Sequence, residues 1–156
     1  MNLPLVSVIM SVYNGEKYLV QAIYSILNQT YQNFEFIIIE DCSTDNSLDI
    51  LEEYAKKDSR IKIIKKEKNI GIKGFIENLN LGISIAKGKY IARMDQDDVS
   101  LPERFQKQVD FLENNPEITL VGAQLNLINE QNKITGEAIA ALQHRDIVKR
   151  ITSQIQ

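Results

Sequence analysis

From Leu5 to Val12 the chain is almost uniformly apolar and rich in Val and Ile, which predicts a short strand buried on both faces. After the turn signal Tyr13-Asn14-Gly15 the spacing changes. Tyr18, Leu19, Ala22, Ile23, Ile26 and Leu27 recur three and four residues apart, so a helix follows the strand. The couplet then repeats. Phe34 to Ile39 predicts a second buried strand, and Cys42-Ser43-Thr44-Asp45 offers capping side chains to a helix carrying Leu48, Ile50, Leu51 and Tyr54. Ile61 to Ile64 predicts a short third strand. Phe75 to Ala86 has helical spacing until Gly88 breaks it, and Tyr90 to Met94 predicts a fourth strand.

Pro102 is well placed for the first turn of a helix running through Phe105, Val109, Phe111 and Leu112 to Asn114. Leu120 to Ile128 reads as one more strand, Asn129 to Gly136 as a polar loop, and His144 to Ile155 as a final helix. Strands alternating with helices define an α/β fold, with a mostly parallel central sheet flanked by helices on both faces and joined by right-handed crossovers. No repeat, low-complexity tract or linker divides residues 1–156, so a single domain is expected.

Composition narrows the partners. The chain has 156 residues, of which 44% are hydrophobic and 25% charged, enough for an ordinary globular core. A formal net charge of −3 and a pI near 5.3 supply no general basic field, so nucleic acid is excluded as a primary partner and any phosphate binding must be local. Cys42 is the single cysteine, which forbids an internal disulfide and suits a reducing cytoplasm. No stretch is long enough to cross a bilayer and the N-terminus lacks a signal peptide. Membrane association, at the inner face, is expected only through parts of a longer parent protein.

In open α/β sheets ligands bind beyond the carboxyl ends of the strands, and here those positions are polar. Ser11-Val12-Tyr13-Asn14-Gly15 follows the first strand, Glu40-Asp41 the second and Asp95-Gln96-Asp97-Asp98 the fourth, so their carboxylates are expected to converge on one crevice. The first turn carries neither GxGxxG nor GxxxxGK[ST], which argues against a backbone phosphate cradle. A divalent cation, Mn²⁺ or Mg²⁺, is the other means of holding a diphosphate, and carboxylates are its preferred ligands. Three aspartates within four residues repel one another unless a cation neutralises them. The alternative is a solvated acidic turn.

Four stretches in order carry a resemblance: VSVIMSVYNGEKYL from Val6, FEFIIIEDCSTDNS from Phe34, AKGKYIARMDQDDVSLPERFQKQVDFL from Ala86 and NPEITLVG from Asn115. Together they resemble family 2 of the inverting glycosyltransferases, which have the Rossmann-like GT-A fold. The resemblance implies that Ser11, Val12 and Tyr13 contact the base or ribose, that Glu16 shapes that pocket, and that Asp41 binds uracil. A carboxylate only accepts hydrogen bonds, so it suits the N3–H of uracil and rejects cytosine, whose N3 is itself an acceptor. A UDP-sugar donor is implied, with dTDP-sugars still open. Asp95 and Asp97 match the DxD motif. Asp97 or Asp98 would bind the cation and Asp95 would approach the sugar or ribose.

Asn69-Ile70-Gly71 with Lys73 matches a loop bordering the donor in relatives, or serves the chain reversal alone. Arg93 and Arg104 flank the acidic loop, where pairing with its aspartates is the expectation over phosphate contact. His144 has no metal-like spacing. Inversion also needs a general base to deprotonate the acceptor. No residue matches one, so the base is expected beyond Gln156, in an acceptor-binding part, and this chain alone is expected to bind donor and metal with little or no transfer to a saccharide acceptor. Surface polysaccharide assembly is the role implied. The rival readings are a non-catalytic nucleotide-sugar-binding module, half of a split enzyme, or a Mg²⁺-dependent phosphoryl-transfer or receiver domain.

Overall fold

A computed structural model describes residues 3–138. The helix expected over His144 to Ile155 lies outside the described residues. Ten elements follow in order: β1 (Val6–Val12), α1 (Glu16–Leu27), β2 (Phe34–Glu40), α2 (Ser47–Lys57), β3 (Ile61–Lys65), α3 (Ile72–Ile85), β4 (Tyr90–Arg93), α4 (Arg104–Asn114), β5 (Leu125–Ile128) and β6 (Ile134–Ala138). They fall into two compact units that divide after Asn114.

The first unit holds a four-stranded sheet in the order β3-β2-β1-β4, parallel throughout. Every residue of β1 and β2 is buried, as a parallel sheet covered on both faces requires. Side-chain alternation sends each strand to two different cores. Val6, Val8, Met10 and Val12 of β1, with Phe34, Phe36 and Ile38 of β2, join Leu19, Ile23, Ile26, Leu51, Phe105 and Val109 in the larger core, beneath α1, α2 and α4. Ile9, Ile37 and Ile39 point the other way and pack with Leu79 and Leu81 of α3.

The face under α3 is graded from polar to apolar to polar. At one end Ser7 donates to Glu35 (2.6 Å), which also accepts the Lys87 backbone N–H (2.7 Å) and the Lys62 ammonium (2.5 Å). In the middle Gly82 lets the helix approach, since a Cβ there would stand 2.5 Å from Ile9 Cγ2. At the far end Asn78, fully buried, donates to Ser11 Oγ (3.1 Å). The buried stripe of α3 is therefore Gly74, Asn78 and Gly82, one turn apart. Gly88 is required by close approach, because a Cβ there would lie 2.6 Å from the Ser7 backbone nitrogen.

The structure moves several expected boundaries. Helix α3 begins at Ile72 rather than Phe75, with Gly71 ahead of it at φ 70°. Pro102 lies in the turn before α4, which starts at Arg104, and its carbonyl accepts the Thr30 N–H (2.8 Å). The capping residue of α2 is Asn46, whose side chain makes no cap bond. Asp45 instead accepts the Ser47 N–H (2.9 Å).

In the second unit the strand expected over Leu120 to Ile128 is confined to Leu125–Ile128, and it pairs antiparallel with β6 rather than extending the parallel sheet. The polar loop expected over Asn129 to Gly136 is also shorter. Asn129 Oδ1 accepts the N–H groups of Gln131 and Lys133 (both 3.0 Å), Asn132 takes φ 58°, and the chain reverses into β6 at Ile134. Asparagine tolerates that left-handed backbone, which makes the turn tight.

Glu35 yields a prediction about acid stability. Burial alone would raise its carboxyl, but hydrogen bonds from Lys62, Ser7 and the Lys87 N–H outweigh that and hold it below the ordinary 4.5. The folded value lies under the unfolded one, so the stabilisation is complete above about pH 4.5 and drains away as pH falls through the lower folded value. Glu35→Gln should cost about 1–3 kcal/mol at neutral pH and flatten the loss of stability below pH 4.5. Denaturant melts from pH 7 to pH 3 check both.

Candidate functional site

The carboxyl ends of β1, β2 and β4 define one rim, with β1 in the middle. After β1 and β2 the backbone turns through a left-handed residue, Asn14 (φ 48°) and Cys42 (φ 61°) respectively. The two turns are laced together. The Asn14 N–H donates to Ser43 Oγ (3.1 Å), the Gly15 N–H to Ser47 Oγ (2.8 Å), and the Thr44 N–H to Asn14 Oδ1 (2.8 Å). Asp45 accepts the Glu16 N–H (3.0 Å), while the Glu16 carboxylate accepts the Asn46 N–H (2.9 Å) and its Nδ2 (2.8 Å). Each helix thus helps satisfy the first backbone donors of the other, the groups that have no partner within their own helix. Glu16 is a structural tie in this lacing. Cys42 is half-buried with Sγ 3.6 Å from the Glu67 carbonyl.

Asp41 follows β2 and is 2% exposed. Its Oδ2 accepts Asn69 Nδ2 (2.8 Å), and the first turn of α3 closes on it, since a Cβ on Gly74 would lie 3.3 Å from Oδ2. Its Oδ1 is buried and has no hydrogen-bond partner. Native proteins satisfy nearly all such atoms, so this oxygen, like the equally buried Asn78 Oδ1, is open to a donor from a ligand or a water. Ser11 is buried against Asn78, Val12 is fully buried in the larger core, and Tyr13 is partly exposed on the rim.

The acidic loop leaves β4 on the other side of β1 and is fastened at both ends. The Tyr13 N–H donates to Gln96 Oε1 (2.8 Å) and Gln96 Nε2 donates back to the Tyr13 carbonyl (3.1 Å), the two-bond exchange of a paired strand made by one side chain. Gly15 gives that amide room, for a Cβ there would stand 2.7 Å from Gln96 Oε1. Further along, buried Gln29 holds the Leu101 carbonyl (2.8 Å) and the Phe105 N–H (3.1 Å), and Ser25 Oγ accepts the Ser100 N–H (3.0 Å). None of these ties stood out in the sequence. The one available signal was the glycine at 15 opposite a glutamine set between aspartates.

Arg93 makes a two-toothed ion pair with Asp95 (2.8 Å), as expected of it. Arg104 does not pair with a loop aspartate. It donates to the Arg93 carbonyl (2.9 Å), and its charge acts on Asp98 only through space. Desolvation, then the charges of Asp95 and Asp97, push the Asp98 carboxyl above the ordinary aspartate value against the pull of Arg104 and Arg93. Carboxylates from the two strand ends do not gather into one cluster. Glu40 is turned into the β2–α2 turn, where it accepts the Ser43 N–H (2.7 Å), and among the described residues no group of three or more acidic, histidine or cysteine side chains could hold a metal ion. Of the convergence expected from the strand ends, the structure shows only the influence of Asp95 and Asp97 on Asp98 within the loop.

The match to known proteins follows this geometry. The chain belongs to glycosyl transferase family 2, whose family model matches residues 7–151. An uncharacterized glycosyltransferase of Haemophilus influenzae is 50% identical over 130 residues, covering 83% of this chain and 39% of the relative. The O-antigen biosynthesis glycosyltransferase WbnJ of Escherichia coli is 42% identical over 138 residues, 86% of this chain and 52% of that one. The chain thus spans about half, or less, of these relatives' length. Among solved structures, S. aureus TarS 1-349 in complex with UDP superposes with a TM-score of 0.65 at 31% identity, over 71% of this chain and 32% of that one. GalNAc-T7 with UDP, GalNAc and Mn²⁺ gives 0.54 at 26% identity, over 64% and 19%. The fold is the GT-A glycosyltransferase fold. Among the described residues no helix is long and apolar enough to cross a membrane.

Gln96→Ala should lower stability by about 1–2 kcal/mol, since two hydrogen bonds to the backbone of Tyr13 are lost. Hydrogen exchange at the Tyr13 amide should accelerate in the variant while exchange in β2 stays unchanged.

Proposed function

We propose that this chain forms the donor and metal site of an inverting glycosyltransferase that transfers sugar from a UDP-sugar, or a dTDP-sugar, to a saccharide acceptor in surface polysaccharide synthesis. The observation that carries the reading is the buried, unpartnered Oδ1 of Asp41 at the end of β2. An acceptor with no donor, placed across β1 from an acidic loop, suits the N3–H of a uracil or thymine base whose diphosphate reaches towards that loop. Ser11 and Tyr13 line the base and ribose side, Val12 supports it from the core through the strand end between them, and Glu16 keeps the turn around Tyr13 in shape. TarS in complex with UDP supports the uridine assignment, and a relative named for O-antigen biosynthesis supports the polysaccharide role.

The acidic loop fits a divalent cation of one kind. It cannot form an all-protein cage, but Mg²⁺ or Mn²⁺ in phosphate sites needs only one or two carboxylates, the substrate's phosphates and water completing the shell. With Asp95 engaged by Arg93, Asp97 and Asp98 are the carboxylates for that task; burial first, and the charges of Asp95 and Asp97 second, raise the Asp98 carboxyl, and a cation would offset the second of these. GalNAc-T7 with Mn²⁺ lends support. Such a cation supplies Lewis-acid neutralisation of the departing nucleoside diphosphate. Gln96 holds the loop in register with the base pocket, and Asp95 stands on the side of the sugar or ribose. The reading assigns the general base to no residue of this chain, so the chain alone binds donor with little or no transfer.

Calorimetric titration with UDP, with and without Mn²⁺, tests this, with CDP as the control ligand and Asp97→Asn as the control protein. Mn²⁺-dependent UDP binding that CDP does not match and that Asp97→Asn weakens about tenfold or more is the expected result. Equal affinity for UDP and CDP, or indifference to both metal and Asp97→Asn, would sink it.

A further inference from the structure

Asp41 is not free to turn. Asn69 Nδ2 donates to its Oδ2 (2.8 Å), and Asn69 Oδ1 accepts the Gly71 N–H (2.8 Å). Both ends of the amide are committed, so its orientation is fixed. Reversed, it would set an NH₂ against the Gly71 N–H and a carbonyl oxygen against the carboxylate, two repulsive contacts in place of two bonds. The Gly71 N–H is itself aimed by an unusual backbone, φ 70° and ψ −148°, a region that essentially only glycine occupies. A Cβ at Gly71 would meet nothing within 4 Å, so space is not what requires glycine there. The first turn of α3 completes the clamp, with a Gly74 Cβ position only 3.0 Å from Ile70 Cγ1 and 3.3 Å from Asp41 Oδ2.

We infer that Asn69, aimed by Gly71, is a positioning residue that sets the base preference of the nucleotide site, by consuming one oxygen of Asp41 and leaving the other as a single fixed acceptor. The inference rests on the assignment of Asp41 to the base. A carboxylate free to rotate presents either oxygen over a wide arc and accepts the N4–H₂ of cytosine as readily as the N3–H of uracil. Pinned, it offers one oxygen in one direction. Uracil fits that direction with its N3–H, while cytosine brings an unprotonated N3 to the same place and leaves two acceptors facing each other. Discrimination of this kind is strong because the wrong base leaves a buried polar group unpaired.

The test is the ratio of UMP to CMP affinity, measured by calorimetry without metal for the wild-type chain, Asn69→Ala and Gly71→Ala, with melting temperatures recorded alongside. Monophosphates keep the diphosphate and cation out of the comparison. The wild-type chain should prefer UMP by about tenfold or more, and Asn69→Ala should bring the ratio towards one. Gly71→Ala, which alters no side-chain contact, should move the ratio in the same direction through its backbone alone. Variants that weaken both nucleotides equally, or that leave the wild-type ratio intact, would overturn the role of Asn69 while the uridine assignment stands. A wild-type chain that binds UMP and CMP equally would refute the assignment of Asp41 and this inference together.

Discussion

Pairing of β1 with a parallel neighbour on each side decides where every polar group of the site can stand. Its seven residues match Phe34 to Glu40 on one side, and Val6 to Ile9 match Tyr90 to Arg93 on the other. All three strands point the same way, so their carboxyl ends open on one rim and the turns that follow must share it. The alternation along β1 does the rest. Val8, Met10 and Val12 anchor the strand in the larger core, and Ser11 is left on the face under α3 with Asn78 as its partner. The core thereby fixes the register of the rim: slipping β1 by one residue would bury Ser11 among the aliphatic side chains and expose Val12 to the polar side.

The parallel sheet was legible because buried parallel strands are short, apolar and bounded by polar turns, and β1 and β2 have that form throughout, while β3 and β4 at the sheet edges are short runs that mix apolar with charged residues. Helix edges were less so. The start of α3 hinges on the backbone angles of Gly71, and the start of α2 is held by Asp45 from its own turn and by Glu16 from the neighbouring helix. The second of these ties is not a property of local sequence. The stretch from Leu120 to Ile128 misleads for a related reason. Its apolar residues signal extended chain, but partner and direction depend on the Asn129–Asn132 reversal, which reads as ordinary polar loop until its bonds are seen.

The site divides along the same line. Residues whose chemistry is their own, the aspartates at 41, 95, 97 and 98, stand out in sequence because clustered or strand-terminal carboxylates are costly without a purpose. Residues that work by holding others do not. Gln96 reads as filler between acids, Gln29 as an ordinary helix-end amide, and Asn69 as a turn residue. Each acts through bonds to residues 28 to 83 positions away or through a two-residue backbone loop, and no spacing rule reveals them. Glu16, expected to shape the pocket, commits its carboxylate to Asn46, where it braces the start of α2.

Gln96 bonds to the backbone of Tyr13 and not to its ring. Evolution can therefore replace the residue at 13 without loosening the acidic loop, since any amino acid but proline presents the same N–H and carbonyl. The side chain at 13 can thus vary while the loop keeps its place, so the turn after β1 and the loop after β4 are mechanically coupled yet genetically separable.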